Sequence, residues 1–308
     1  MGAVDGKVAL VTGASRGIGK AIATRLAAEG AAVAICSRPH PGLAQLGTLD
    51  TARAELEAFG GPVLAVPFDL GDPGLDRATL VDQVEAALGP IGILVNNVAA
   101  GGFRPFLEWT DAQIQSNLEL NFWSYWHLIR RVLPGMLERG EGWICNLSSV
   151  TARVPVGPPF PETAPARAGT IYGGTKAMMD RWTVSLAAEV YGQGVAVNTL
   201  APEAAALTEA LAEYATLPEY LCEPLDTMAE AALALCTADP ATLTGQVTTS
   251  LQLLVDLDRP VHDVTGRTLL ADWQPSALPP RIEKMLQHQA GEITSGPTGV
   301  ENVTNRGR

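Results

Sequence analysis

The sequence predicts an α/β protein with a doubly wound, parallel sheet of about seven strands, helices on both faces and a C-terminal extension. The first reason is that short apolar runs alternate along the chain with longer stretches of helical periodicity. The second is that these runs are apolar almost throughout, which is typical of parallel strands buried on both faces. With 308 residues, 47% of them hydrophobic, the chain can bury the core that such a sheet requires.

The predicted elements follow one another from the N-terminus. Apolar runs predict strands at residues 7–12, 31–37, 62–67, 91–97, 142–149 and 195–200, with a seventh at 245–250. Helical periodicity predicts helices at residues 20–29, 75–88, 110–131, 171–190 and 229–236. Thr110 and Gln113 have the spacing of a capping box, so one helix is expected to begin there.

A glycine-rich turn joins the first strand to the first helix. Gly13, Gly17 and Gly19 have the spacing Gly-x-x-x-Gly-x-Gly, which differs from the Gly-x-Gly-x-x-Gly of the common dinucleotide fingerprint. Glycines let the backbone turn tightly and approach a ligand, and the free amides at a helix start attract phosphate. Because the turn follows the first strand, it indicates a Rossmann-like nucleotide-binding unit more than a purely structural turn.

Arg38 directly follows the second predicted strand. Units that bind NAD have an acidic residue near this position for the ribose hydroxyls, whereas an arginine accommodates the 2′-phosphate of NADP. Arg16, in the glycine turn, is a second cation for the same place. We therefore predict NADP as the preferred cofactor, the alternative being two solvated arginines.

Polar or turn-forming residues stand at the ends of several predicted strands. In parallel sheets, ligands bind in the crevice beyond the carboxyl ends of the strands. The residues that converge on this crevice are Asp69, Asn97, Ser149 and Pro202.

Tyr172 and Lys176 are four residues apart in a predicted helix, so they lie on one helical face. A cation beside a phenol favours the phenolate, and such a pair can transfer a proton at neutral pH. Alone, this spacing is also common on solvated helix faces. The other motifs of the chain favour the acid/base interpretation.

Five motifs occur together in one order. They are Thr12 to Gly19, Asp69-Leu70, Asn96-Asn97 with Asn121, Ser148-Ser149, and Tyr172-Gly-Gly-Thr-Lys176. This set resembles the short-chain dehydrogenase/reductase family, in its compact single-domain branch, from about Lys7 to Pro202.

The resemblance implies a role for each residue of the predicted catalytic set. Tyr172 would be the general acid/base, and Lys176 would lower its pKa and hold the nicotinamide ribose. Ser149, rather than Ser148, would hydrogen-bond the substrate oxygen, and Asn121 would hold a water in a proton relay. The residues expected to bind NADP(H) are Gly13, Ser15, Arg16, Ile18, Ser37, Arg38, Asp69, Leu70, Asn97, Tyr172, Lys176 and Pro202.

The chain also departs from the family pattern. Val98 and Ala99 stand where the family has Ala-Gly, and Glu203 replaces the glycine after Pro202, with Thr208 one place late. These changes permit an alternative function, a catalytically idle NADP-binding sensor or partner-binding module. A proline-rich insertion, residues 153–168, either walls the substrate pocket, packs on a neighbouring subunit or is a tolerated surface loop.

The segment 204–224 is where family members have a mobile lid over the substrate. It contains the apolar side chains Leu207, Leu211, Tyr214, Leu217, Tyr220 and Leu221, and the chain has no Lys or Arg between Arg181 and Arg259. Phosphate, CoA and carboxylate substrates require such cations. With Phe103, Phe106 and Trp109 expected nearby, we predict a neutral, apolar ketone, aldehyde or secondary alcohol; the alternative is that the segment is an amphipathic, core-facing helix.

Composition excludes several classes of protein. A net charge of −12 argues against nucleic-acid binding. The four cysteines and four histidines are too widely spaced for a zinc, redox or other metal motif, so reduced thiols and no metal site are expected. The sequence begins without a basic and apolar leader and contains no apolar stretch of membrane-spanning length, so a cytoplasmic protein is expected.

We divide the chain into an NADP-binding catalytic domain, residues 1–258, and a C-terminal extension, residues 259–308. The extension either covers a neighbour's active site or caps the sheet, and its end, from Gly291, is expected to be disordered. Family resemblance suggests a homodimer or homotetramer built through the long helices. The aromatic cluster Phe122, Trp123, Tyr125 and Trp126 is interpreted as core and subunit interface rather than as a ligand site.

Overall fold

Seven parallel strands form one sheet in the computed structural model, which describes residues 2–39, 41–214 and 217–292. The strands are β1 (Val8–Thr12), β2 (Ala32–Ser37), β3 (Val63–Pro67), β4 (Ile91–Asn96), β5 (Gly142–Leu147), β6 (Val195–Ala201) and β9 (Val247–Thr249). Their order is β3-β2-β1-β4-β5-β6-β9, so the strand order reverses beside β1. The predicted fold class is confirmed, and each predicted strand lies within two residues of its observed bounds.

Helices cover both faces of this sheet. They are α1 (Gly17–Ala28), α2 (Leu49–Glu57), α3 (Ala78–Leu88), α4 (Asp111–Leu118), α5 (Ser124–Arg139), α6 (Ala164–Ala168), α7 (Thr170–Glu189), α8 (Glu209–Tyr214), α9 (Leu225–Leu235), α10 (Ser250–Asp256) and α11 (Pro279–Gln289). Successive residues of β1 point to opposite layers, because side chains alternate along a strand. Val11 packs in the layer of α1, α9 and α10, and Leu10 packs in the layer of α3 and α5.

A π-helical turn, Glu119–Trp123, joins α4 to α5. Helix α4 begins at the predicted capping box, where the Thr110 hydroxyl accepts from the Gln113 amide and the Gln113 side chain accepts from the Thr110 amide. The widened turn contains Asn121, which is completely buried. Among the neighbouring aromatic residues Tyr125 is also buried, whereas Trp123 and Trp126 are partly exposed.

The segment 204–224 is not one amphipathic helix. Its described residues form two short parallel strands, β7 (Ala205–Ala206) and β8 (Cys222–Glu223), with the short helix α8 between them. The side chain of Tyr214, one of the predicted lid residues, lies outside the described part of the structure. No helix among the described residues is long and apolar enough to cross a membrane.

The described part of the extension packs on its own chain. Val261, Leu278, Ile282 and Met285 are buried in the same core as α1 and α9. The boundary after residue 258 stays a prediction. The disorder expected from Gly291 onward concerns mainly residues 293–308, which lie outside the described residues.

Candidate active site

The carboxyl end of β5 and one face of α7 meet at the centre of the predicted crevice. Ser149 follows β5, and α7 contributes Tyr172 and Lys176. The π turn adds Asn121 from the opposite side. Three elements that are distant in sequence thus bring the four predicted catalytic residues to one place.

A chain of hydrogen bonds connects Asn121 to the helix that carries Tyr172. The Asn121 amide donates to the carbonyl of Ala100 (2.8 Å) and to the hydroxyl of Thr175 (3.0 Å). Asn121 Oδ1 accepts from the Ala100 amide (2.8 Å), and Thr175 donates in turn to the carbonyl of Tyr172 (2.8 Å). Both hydrogens of the Asn121 amide are therefore committed to protein acceptors.

Thr175 is a site residue that the sequence analysis missed. Its signal was the three-residue spacing from Tyr172, which places it on the same side of the helix. From the sequence alone this threonine cannot be distinguished from an ordinary helix residue, because its partner, Asn121, is 54 residues away.

Lys176 is 1% exposed and lies among aromatic rings. Its Nζ donates to the carbonyl of Leu147 (2.5 Å) and lies 5.5 Å from the ring centre of Tyr125 and 5.9 Å from that of Tyr172. Burial lowers the pKa of Lys176 to about 7, and the nearby carboxylate of Asp180 opposes this shift. Burial therefore shifts this side chain towards its neutral form.

Burial raises the pKa of the Tyr172 phenol, and the neighbouring Ser149 hydroxyl opposes the rise. This direction differs from the expectation that Lys176 lowers it. The physical reason is that burial removes water from the phenol and so disfavours its charged form.

The two serines of the doublet face different neighbours. Ser149 Oγ accepts hydrogen bonds from the amide (3.2 Å) and the hydroxyl (2.9 Å) of Thr151. The same hydroxyl lowers the pKa of Tyr172, against the effect of burial. Ser148 is buried, and its hydroxyl lowers the pKa of Asp180 rather than that of Tyr172. The structure therefore brings Ser149, not Ser148, to the phenol.

Of the aromatic residues expected near the substrate, Phe103 is in ring contact with Tyr172. The two ring centres are 6.3 Å apart with an interplanar angle of 87°, an edge-on arrangement. Phe106 is 69% exposed, and the indole of Trp109 donates to the carbonyl of Arg104 (3.2 Å). Phe103 is thus an apolar wall beside the phenol.

The glycine turn has the conformation that close approach to a ligand requires. Gly13 and Gly17 have φ values of +64° and +57°, which favour glycine. A Cβ on Gly13 would lie 2.9 Å from Nδ2 of Asn97, and one on Gly19 would lie 2.5 Å from the same atom. Asn97 donates to the carbonyl of Thr12 (2.8 Å), so it ties the turn to β4. The turn, opening onto the start of α1, fits a dinucleotide diphosphate.

Two arginines stand at the other end of the predicted cofactor site. Arg38 is exposed, and its guanidinium is 3.7 Å from Oδ2 of Asp69. Arg16 donates to the carbonyl of Gly47 (3.3 Å), and burial, together with the charge of Arg38, lowers its pKa. Two neighbouring cations repel each other, so an anion such as a 2′-phosphate would be stabilised between them.

The remaining predicted cofactor residues differ in how deeply they are buried. Ser15 and Leu70 are buried, and the Leu70 carbonyl accepts from Arg77 Nε (3.0 Å). The residues that are half-buried are Ile18, Ser37, Asp69, Asn97 and Pro202.

Glu203, which follows Pro202, is buried in a cluster that the sequence analysis did not predict. It is 3.3 Å from the Arg153 guanidinium and accepts from the hydroxyl of Thr249. Its amide donates to Oε1 of Glu223 (2.6 Å), and its carbonyl accepts from the Gln289 amide (2.8 Å). The start of the insertion, the end of β6, β8 and α11 are therefore joined at this one residue.

Comparison with known proteins assigns the family. The sequence model described as short chain dehydrogenase matches residues 7–216. The glycine turn and the Tyr172–Lys176 helix both lie within this range, and the chain belongs to the short-chain dehydrogenase family.

Individual relatives differ in their substrates. "Ketoacyl reductase HetN" of Nostoc sp. is 35% identical over 202 residues, which are 66% of this chain and 64% of that protein. The 7alpha-hydroxysteroid dehydrogenase of Escherichia coli K12 is 31% identical, and the match covers 80% of this chain and 93% of the relative. The solved structure of a 3-oxoacyl (acyl-carrier-protein) reductase from Agrobacterium tumefaciens C58, with NADP bound, has a TM-score of 0.66 and 28% identity, and covers 80% of this chain and 93% of that chain.

Proposed function

We propose that this protein is an NADP(H)-dependent oxidoreductase that transfers hydride between the nicotinamide and a neutral, apolar carbonyl or secondary alcohol. The observation that carries the proposal is the meeting of Ser149 with Tyr172, on a helix held by the Asn121–Thr175 hydrogen bond and the buried Lys176. This combination of groups can transfer a proton to a substrate oxygen and hydrogen-bond the same oxygen.

Three groups would hold the cofactor. The glycine turn and the first amides of α1 would bind the diphosphate. Arg38 and Arg16 would bind the 2′-phosphate, which NAD lacks. The NADP bound to the Agrobacterium relative supports the same preference here.

The chain's own residues would act on the substrate oxygen. The bound nicotinamide would supply the hydride to the carbonyl carbon. Ser149 would hydrogen-bond the oxygen as negative charge develops on it, and Tyr172 would give its proton to the same oxygen, forming the alcohol. Lys176, whose Nζ faces the Tyr172 ring, would restore the proton by way of water at Asn121.

The distribution of charge in the chain supports the proposed substrate class. Arg153, four residues after Ser149, is engaged by Glu203 (3.3 Å) and by Gln289 (2.9 Å). The segment 204–224 contains no Lys or Arg, and Phe103 lies against the phenol. These features favour a neutral, apolar ketone, such as a steroid ketone, over an acyl-CoA.

A substrate panel tests the function directly. Binding of NADPH and NADH is first measured by fluorescence titration, and NADPH oxidation is then followed with steroid ketones, aliphatic ketones, aldehydes and 3-oxoacyl-CoA. We expect NADPH to bind more tightly than NADH and the apolar ketones to react fastest. A preference for acyl-CoA would overturn the substrate class, and tight NADPH binding without turnover would favour the idle, cofactor-binding alternative.

Replacing Tyr172 by phenylalanine tests the catalytic assignment. Tyr172→Phe removes the proton donor and keeps the ring that packs on Phe103, so we expect turnover to fall by about 10³-fold or more while NADPH binding is largely kept. Tyr191→Phe makes the same change at an exposed tyrosine and serves as the control. Near-normal turnover by Tyr172→Phe would rule out Tyr172 as the acid/base.

A further inference from the structure

A carboxylate of the protein already binds the amide at the start of α1. Glu209 Oε2 accepts a hydrogen bond from the amide of Gly17, at 3.0 Å. Gly17 is the first residue of α1, and Glu209 is the first residue of α8, 192 positions later in the chain. Amides at a helix start bind anions, and the Gly17 amide binds a carboxylate of the chain itself.

The neighbouring residue fixes the position of this carboxylate. The hydroxyl of Thr208 accepts from the Leu211 amide (3.1 Å), and its carbonyl accepts from the Ala212 amide (2.9 Å). The Thr208 methyl carbon would lie only 3.2 Å from a Cβ at Gly17. Residues 208–209 therefore cover the glycine that the diphosphate has to approach.

Lys20 and Arg16 lie close enough to the Glu209 carboxylate to interact with its charge. Lys20 Nζ is 4.0 Å from Oε1 of Glu209. Burial lowers the pKa of Arg16, and the negative charge of Glu209 opposes this lowering. The same amide and the same cations would face a diphosphate.

We infer that Glu209 is an internal competitor of the cofactor diphosphate, and that binding of NADP(H) must displace Glu209 from Gly17. The inference rests on the proposed function, because it assumes that the glycine turn binds the cofactor. One amide hydrogen cannot be donated at full strength to two anions, and two anions at one place repel each other. Cofactor binding is thereby coupled to movement of α8, which belongs to the segment proposed to face the substrate.

Substitution of Glu209 tests the competition. Glu209→Gln removes the charge and keeps the shape, and Glu209→Ala removes the acceptor as well. We expect both variants to lower the Kd for NADPH by about threefold to tenfold, measured by fluorescence titration at low ionic strength. The control is Glu55→Gln, because Glu55 also pairs with Lys20 (3.1 Å) and belongs to a different element, α2.

A fragment of the cofactor separates direct competition from a general charge effect. Adenosine 2′-monophosphate carries the phosphate expected at Arg38 and Arg16 but lacks the diphosphate, so Glu209→Gln should lower its Kd by a clearly smaller factor than that of NADPH. Equal tightening of this fragment and of NADPH, or equal tightening by Glu55→Gln, would overturn the inference. Equal NADPH affinity of wild type and both Glu209 variants would overturn it as well and leave the proposed function standing. Absence of NADPH binding in every variant would overturn both.

Discussion

Burial acts in opposite directions on the pKa values of Tyr172 and Lys176. It raises the pKa of the phenol and lowers that of the ammonium to about 7, because an apolar environment disfavours the charged form of each. Both side chains are shifted towards their neutral forms. A neutral phenol is the form that can give a proton to a carbonyl oxygen, which is the role proposed for Tyr172.

Arg38 is the residue on which the predicted cofactor preference depends. We expect Arg38→Ala to weaken NADPH binding by about tenfold, because the 2′-phosphate loses a charge-assisted contact, and to leave NADH binding nearly unchanged. Titration of both cofactors measures the ratio. Arg53→Ala, at an exposed arginine of α2 that pairs with Glu57, is the control. A similar loss for NADPH and NADH would show that Arg38 does not recognise the 2′-phosphate.

At the residue level, spacing in one element could be predicted and contact between elements could not. Tyr172 and Lys176 were placed together from their four-residue separation, since a helix fixes that geometry. The bond from Asn121 to Thr175 depends on the π turn, whose widened geometry has no clear sequence signal. The contact of Glu209 with Gly17 has no local sequence signal, because the two residues are 192 positions apart.

At the level of elements, two buried carboxylates hold the short strands β7 and β8 against the end of the sheet. Glu223 accepts from the hydroxyls of Thr227 and Ser250, both at 2.5 Å, and from the amide of Glu203. Burial raises the pKa of Glu223 to about 7, these hydrogen bonds oppose the rise, and the charge of Glu203 adds to it. One proton is therefore kept in this cluster up to neutral pH.

This proton makes stability depend on pH. Between a pKa of about 4.5 in the unfolded chain and about 7 in the folded protein, only the folded protein holds the proton at Glu223. The free energy of unfolding therefore falls as pH rises across this interval, by roughly 3 kcal/mol in all, and this contribution is constant above it.

Glu223→Gln tests this dependence. Its amide can donate to the two hydroxyls and its carbonyl can still accept from Glu203, so we expect the variant to lose this part of the pH dependence and to exceed wild type in stability at pH 8. Urea unfolding at pH 5, 6, 7 and 8 measures it. Glu219→Gln, at an exposed position close in sequence, should behave as wild type. A Glu223→Gln variant with the wild-type pH profile would contradict the assignment.

The sheet was easier to predict than the connections that surround it. Strands such as Ile91–Asn96 are buried at every residue, so an apolar run in the sequence marks each of them. The segment 204–224 has no such pattern, because its two short strands are held by buried polar contacts of Glu203 and Glu223 rather than by an apolar stripe.

At the level of the whole molecule, a buried carboxylate fastens the extension to the first helix. Glu230 Oε2 lies 2.5 Å from Arg25 Nη1, and Oε1 lies 2.6 Å from Arg259 Nε. Burial alone would raise the pKa of Glu230, but the two arginines outweigh it and the pKa is lowered. His262 Nδ1 is 3.5 Å from the same carboxylate. Helices α1 and α9 and the start of the extension thus share one charged contact.

Arg259→Met tests how much this contact contributes. The variant leaves Glu230 buried with one arginine fewer, so we expect the free energy of unfolding to fall by about 1–3 kcal/mol. NADPH affinity should not change, because Arg259 is not part of the proposed cofactor site. Arg53→Met, which breaks an exposed pair with Glu57, should lower the free energy of unfolding by less than Arg259→Met does. Equal losses in the two variants would show that burial of the Glu230 contact has no special effect.

The contact between α1 and α9 also has a consequence for the order in which the chain folds during synthesis. Arg25 and Glu230 are 205 positions apart, and Leu26 and Leu233 lie in the same apolar layer. Since a ribosome releases the N-terminal end first, the part of α1 that packs on α9 stays uncovered until residues 225–235 have emerged. The contact of Gly17 with Glu209 likewise forms only after residue 209 has been synthesised.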